Sequence, residues 1–339
     1  DNLTLLMLIV VHLVAILVQI FSISYMHDDA AKWRYFAFLG LFVFSMLVIV
    51  LAGSLLLMYV GWELVGLSSY LLIGFWYEKP RAVWAAKKAF LLNRIGDAGF
   101  LMGILLLFWY FGTTEISVIS DQLSINSPQL TENGLLIMGL LLFCGAIGKS
   151  AQFPLSSWLP DAMEGPTPVS SLLHAATMVT AGVHVLLRFC TIFEQVNFIS
   201  NLLVIVGCCT VFFASCFAIS SFDIKKILAY STMCQIGFMF ICCGFSCYNL
   251  AFFHLIIHAL YKCCLFLCAG VLIELHQGEQ DIRYMQSSLQ QINFFVFLIF
   301  LISCLSLIGF PFTIGFISKE LIFCKFSFFF FQKIVYYLL

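Results

Sequence analysis

Ten stretches of roughly twenty mostly apolar residues, parted by Gly, Pro or charge, fill almost all of this 339-residue chain. A helix of about 20 apolar residues crosses the hydrocarbon core of a bilayer. In lipid each peptide N–H and C=O must be bonded inside the protein, and a helix does that within its own segment. The spans read at about 3–26, 35–52, 54–77, 89–111, 134–153, 168–192, 198–221, 224–245, 250–274 and 291–338, the last interrupted. The expected fold class is an all-α polytopic membrane protein, a single transmembrane domain over 1–339. Composition agrees: 63% of residues are hydrophobic and only 10% charged, and the mean hydropathy of +1.06 is beyond any soluble domain.

A net charge of −1 without a basic tail or charge run gives no reason to expect nucleic acid. Thirteen of the fourteen cysteines lie after Val169, most inside apolar runs, with adjacent pairs such as Cys208-Cys209 and Cys263-Cys264. Neighbours on a helix diverge by about 100°, and no CxxC or cluster-ligating pattern occurs, so they read as small apolar filler. Lys32, Arg34, Lys79, Arg81, Lys87, Lys88, Lys225, Lys226 and Arg283 fall in or beside connections on one face of the ten-helix arrangement, and the opposite connections carry no lysine or arginine. That asymmetry puts the basic face inside and the N-terminus outside. Residues 3–25 are too long for the apolar core of a signal peptide, and the chain begins at Asp1, which reads as an internal or trimmed start.

Seven ionisable groups stand inside these apolar runs: Glu63, Lys149, His174, His254, His258, Lys262 and Lys319. A charge at the bilayer centre costs about 2.5 kcal/mol or more, so such groups mark a proton or ion pathway. Gly61-Trp-Glu63-Leu-Val-Gly66 places a carboxylate midway along the third span, between glycines that admit another helix, with Lys149 as its natural partner. A Glu/Lys pair whose distance or hydration changes can trade a proton; the plain alternative is a static pair joining two helices. Gly145-Ala-Ile-Gly148-Lys149-Ser150 resembles the end of a phosphate loop, but Phe143 occupies the position where that motif needs glycine.

His254, His258 and Lys262 fall at i, i+4 and i+8, a stripe along about 12 Å of helix that protons could follow through water. A histidine metal pair or simple interhelical hydrogen bonding are the alternatives. His174 could relay between Lys149 and this stripe, while His184 and Arg188 read as anchors. Arg94 and Asp97, at i and i+3, are expected to neutralise each other in part, with Asp97 also tuning Lys149. Asp223 reads as a helix N-cap. Two spans look broken, at Lys149 to Pro154 and at Gly309, Pro311, Gly315 and Lys319. Opened backbone at that depth must be covered by protein or line a wet cavity. Two such breaks with a lysine each, five spans apart, suggest inverted repeats: 35–192, and 198–339 incomplete at its C-terminus.

Together the strings Gly61-Trp-Glu63, Asn93-Arg-Ile-Gly-Asp97, Gly148-Lys-Ser-Ala-Gln152, Trp158-Leu-Pro-Asp-Ala-Met-Glu-Gly-Pro-Thr-Pro168, His174-Ala-Ala-Thr-Met178, Leu228-Ala-Tyr-Ser-Thr232 and Ser318-Lys-Glu320 resemble the chain 5 family of NADH-ubiquinone oxidoreductase, the antiporter-like subunits of respiratory complex I. The resemblance covers most of 1–322. It implies a proton-translocating subunit with no cofactor of its own, driven by chemistry in other subunits that hold NADH, FMN, iron-sulfur clusters and ubiquinone. Glu63 matches the family's carboxylate on the fifth helix, Lys149 the seventh-helix lysine, and His174 the eighth-helix histidine. His254, His258 and Lys262 match the eleventh-helix relay, and Lys319 the lysine of the second broken helix; Arg94, Asp97, Pro154, Pro311 and Glu320 support them.

The chain looks like helices three to twelve of that family, so a further segment or polypeptide is expected to supply the rest, beside other membrane-arm subunits and lipids such as cardiolipin. Ser306-Leu-Ile-Gly-Phe-Pro-Phe312 and Glu279-Gln-Asp-Ile-Arg283 resemble the mitochondrial rather than the plastid version, which implies the mitochondrial inner membrane with the N-terminal end toward the intermembrane space. Phe328 to Leu339 matches nothing in the family. One rival is the large subunit of a multisubunit cation/proton antiporter, which shares these motifs. Another is a haem-binding electron carrier, which a Soret band would reveal.

Overall fold

The structure, a computed structural model, describes residues 1–125, 132–285 and 293–338. Among the described residues it is all-helical, without strands. The order is α1 Asn2–Tyr25, α2 Lys32–Leu51, α3 Leu55–Ile73, α4 Pro80–Phe111, α5 Ile116–Ile125, α6 Glu132–Lys149, α7 Trp158–Asp161, α8 Thr167–Ala175, α9 Met178–Arg188, α10 Cys190–Gln195, α11 Asn197–Ser220, α12 Ile224–Gly244, α13 Tyr248–Leu275, α14 Phe294–Ile308 and α15 Ile314–Leu338. Among the described residues eight spans are long and apolar enough to cross a membrane, and Asn133–Lys149 and Phe294–Ile308 are shorter apolar helices. The expected spans are therefore present, but three are not single rods. The run at 134–153 stops at Lys149, the final run divides into α14 and α15, and the run at 168–192 divides after Ala175. The side chains from Phe328 to Leu339 lie outside the described residues.

Local chemistry sets the helix ends. Asp1 caps α1 by accepting from Thr4 N at 2.8 Å, and Ser54 caps α3 through Leu57 N. Asp223 accepts from the Lys225 and Lys226 amides, the N-cap expected of it. Pro80 opens α4, where a missing N–H is harmless. Gly309 closes α14 with φ +84°, a left-handed conformation that L side chains resist. The 32 residues of α4 extend about 48 Å, longer than the hydrocarbon core, so its basic first turns project beyond it.

The run 167–187 is wholly buried, whereas α1, α2 and α11 each turn a face outward. The α8/α9 pair thus forms the axis of the molecule, packed by α1, α6, α12 and α13. Gly182 permits the tightest of these approaches. A β-carbon there would lie 2.5 Å from the Ala146 carbonyl of α6 and 2.1 Å from Ser150 Oγ.

Two connections carry the same two-bond ladder. Leu55 N, at the start of α3, donates to Thr114 O, and Ile116 N donates back to Gly53 O. Ile224 N, at the start of α12, donates to Gln280 O, and Ile282 N donates back to Phe222 O. The first joins the α2–α3 turn to the chain after α4, and the second joins the α11–α12 turn to the chain after α13.

Candidate functional site

Each of the three divided spans presents the carbonyl end of a half-helix, and a titratable side chain stands at each. Unpaired carbonyls make that end electronegative, a favourable place for a cation. Lys149 is the last residue of α6. Around it Ser150 N bonds Ala146 O, Gln152 N bonds Ile147 O, and Trp158 Nε1 donates to Gly148 O at 3.1 Å, so the opened turn is closed by the segment containing Pro154. His174 lies in the last turn of α8. Lys319, from α15, donates to Leu307 O in the last turn of α14, across the turn containing Pro311. Glu320 beside it is exposed.

The interruption of the α8/α9 span has no glycine or proline in it. Thr177 Oγ1 reaches back to Leu172 O at 2.6 Å, and Ser150 Oγ on the neighbouring α6–α7 segment takes Val179 O at 2.8 Å. Thr177 thus satisfies a carbonyl of the opened end of α8, and Ser150 ties the start of α9 to the α6–α7 segment; neither residue is a helix breaker.

The carboxylates pair differently from expectation. Glu63 forms its ion pair with Arg94, and Lys149 faces Asp97, with Nζ 3.5 Å from Oδ2. The expected Glu63–Lys149 contact is replaced; Arg94 pairs with Glu63 and reaches Asp97 only electrostatically, and the expected tuning of Lys149 by Asp97 is a direct ion pair. The reason is helix rotation: Glu63 and Arg94 lie on the partly exposed seam of α3 and α4, whereas Asp97 and Lys149 are buried. Glu63 stays within electrostatic range of Lys149 without touching it. Gly66, one turn beyond Glu63, makes room for the ammonium; a β-carbon there would sit 2.8 Å from Lys149 Nζ. Trp62 closes the other side. Its Nε1 donates to Asp97 Oδ1 at 2.7 Å, its ring lies 5.7 Å from Lys149 Nζ, and it stacks on Phe100 at 4.5 Å.

The α13 stripe is fully buried at His254, His258 and Lys262. His254 is held between two polar side chains, with Nε2 3.2 Å from Gln235 Oε1 and Nδ1 2.9 Å from Ser318 Oγ, the tautomer deciding which ring nitrogen donates. Through Ser318 the stripe therefore reaches α15 next to Lys319. Lys262 Nζ donates to Leu228 O at 3.0 Å and to Ser231 Oγ on α12. Neither ring nitrogen of His174 or His258 has a hydrogen-bond partner among the described residues. His174 faces Phe266 of α13 at 5.9 Å, and His258 faces the Ala175 carbonyl at the end of α8 without closing a bond. These two rings thus stand on either side of the α8–α13 seam. The anchors behave as such at Arg188, which pairs with Asp1.

The transmembrane family described as NADH:quinone oxidoreductase/Mrp antiporter matches residues 52–332, and the family described as the N-terminus of complex I chain 5 matches residues 1–36. The chain belongs to the NADH:quinone oxidoreductase/Mrp antiporter family. It is 48% identical over 328 residues to NADH-ubiquinone oxidoreductase chain 5 of Chondrus crispus, covering 95% of this chain and 49% of that protein. It is 47% identical to the same chain of Phytophthora infestans over 95% of its length and 49% of the relative's. With NADH-quinone oxidoreductase subunit L of Neisseria meningitidis identity is 43%, over 94% and 49%. The chain spans about half the length of the curated relatives it matches. Among solved structures it is similar to a chain of the Mrp complex from Dietzia sp., at TM-score 0.87 and 32% identity over 96% of this chain and 36% of that one. A chain of an archaeal membrane-bound sulfane sulfur reductase shares the fold at TM-score 0.83 and 23% identity, over 96% and 66%.

In this antiporter-family chain the structure gives specific roles to residues that the motif strings contain without assigning them one at the site, and adds Gln235 and Lys225. Trp62 and Gly66 shape the Lys149 pocket, and Thr177 and Ser150 close the central break. Gln235 and Ser318 hold His254. Lys225, read as part of the basic connection, is buried and donates to Gly165 O at 2.9 Å. The local signals were the glycines flanking Glu63 and the small and hydroxyl residues next to the titratable ones in the sequence.

Proposed function

We propose that this chain is a proton-translocating membrane-arm subunit of a respiratory NADH:ubiquinone oxidoreductase, without redox centres of its own. The observation that carries the reading is Lys149, fully buried at the carbonyl end of a broken helix and opposed by Asp97. A lysine so placed can lose its proton when the pair opens and regain it when the pair closes. Protons pass among Glu63, Lys149 and His174, then along His258, Lys262 and His254 to Lys319, through water where rings lack protein partners. NADH oxidation and ubiquinone reduction, with FMN and iron-sulfur clusters, belong to other subunits.

The repeat reading, 35–192 and 198–339, is supported by the identical two-bond ladders. The topology puts one on the lysine-free face and the other on the basic face, as inversion requires. The basic connections face the mitochondrial matrix and the N-terminal end faces the intermembrane space of the inner membrane. The partners are other membrane-arm subunits, anionic lipids, and a segment or polypeptide carrying the helices that flank these in the longer relatives.

In the intact complex reconstituted into vesicles, Lys149→Ala and Glu63→Gln should each lower proton uptake per NADH oxidised. Lys149→Arg should recover it only in part, since arginine keeps its proton. Native stoichiometry in both neutral variants would refute the proposal. A second reading, the large subunit of a cation/proton antiporter, is favoured by the likeness to the Mrp complex chain. It requires sodium-dependent proton exchange in the absence of NADH.

A further inference from the structure

We propose that Trp62 is a positioning residue that keeps Asp97 ionised and aimed at Lys149 while Lys149 gives up and regains its proton. This rests on the proton-translocation reading above. Trp62 is fully buried, and one side chain touches both members of the pair. Its Nε1–H holds Asp97 Oδ1 at 2.7 Å while Oδ2 faces the ammonium at 3.5 Å, and its π face lies 5.7 Å from the same ammonium.

The two contacts respond differently to the proton. An indole N–H donates and never accepts, so the bond to Asp97 favours the carboxylate form whatever the state of the lysine. The π face attracts the lysine only while it is charged. When Lys149 loses its proton, the ion pair and the ring contact weaken together, but Asp97 keeps its hydrogen bond. The carboxylate is then a poor acceptor for the departing proton. A transfer from Lys149 Nζ to Asp97 would produce a neutral, stalled pair; Trp62 disfavours that transfer, and the proton leaves along the chain instead. Phe100, stacked at 4.5 Å, prevents the indole from swinging away with the carboxylate. The other groups acting on Asp97 are Glu63 and Tyr59 from α3 and Arg94 from its own helix, and none of them donates to Oδ1.

The test replaces Trp62 by Phe in the intact complex and measures proton uptake per NADH between pH 6 and 8.5. Loss of one charge-assisted hydrogen bond changes the Asp97 protonation equilibrium about tenfold, so the acid limb of the profile should move up by about one pH unit. In an Asp97→Asn background the same substitution should cause no further shift. If the phenylalanine variant does not assemble, a benzothienylalanine at position 62, which keeps the shape and replaces N–H with sulfur, should give the same displacement. A native profile in the N–H-deleted protein, or a shift that persists without Asp97, overturns the role of Trp62. Loss of pumping in Lys149→Ala alongside a native Trp62→Phe profile would overturn this role alone. Full pumping in Lys149→Ala would instead remove the reading on which it rests.

Discussion

Gly66→Ala tests whether the space above α3 sets the Lys149–Asp97 distance. The new methyl would sit 2.8 Å from Lys149 Nζ and 3.9 Å from Asp97 Oδ2. Ordinary contact begins near 3.4 Å, and the obstructing atom is the tip of a flexible side chain, so the ammonium gives way rather than the helix. A retreat of about 0.6 Å lengthens the pair from 3.5 Å to about 4.1 Å. With an effective dielectric of about 20, attraction falls by about 0.7 kcal/mol, or about threefold in the pairing equilibrium. Alanine is favoured over glycine within a helix by about 1 kcal/mol, so assembly should be unimpaired. The assay is proton uptake per NADH in vesicles, with assembly checked by native electrophoresis. Pumping should fall while NADH oxidation in detergent persists. A fully assembled variant with native stoichiometry would refute the idea that this glycine holds the pair at its working distance.

Thr177→Val removes the hydroxyl that satisfies Leu172 O and should destabilise the complex by about 1–3 kcal/mol, seen as a lower thermal midpoint, with Thr177→Ser largely restoring it. Cysteines introduced at 113–115 should label from the outer face of intact membranes, and those at 276–284 only in inside-out vesicles; the reverse pattern would refute the proposed orientation. A photocrosslinker at Phe312, fully exposed beside the second break, should recover a peptide from a membrane-arm partner or flanking segment; lipid adducts alone would refute that packing.

Hydropathy and helix punctuation act locally, and so the spans, the capped start at Asp223, the breaks near Pro154 and at Gly309 and Pro311, and the titratable residues within apolar runs were all legible in the chain. The i, i+4, i+8 stripe of His254, His258 and Lys262 was legible too, because one helix carries it. Pair choice was not. Glu63 and Asp97 compete for Arg94 and Lys149, and sequence distance cannot rank them. The rotation of α3, α4 and α6 decides, putting Arg94 on the outer seam with Glu63 and burying Asp97 with Lys149 behind Gly66 and Trp62. The break after Ala175 is tertiary for the same reason. No residue there forbids a helix, and the opened turn persists because Thr177 takes the Leu172 carbonyl that a continuous helix would have bonded itself, while Ser150, from another element, fixes the start of α9 through Val179 O.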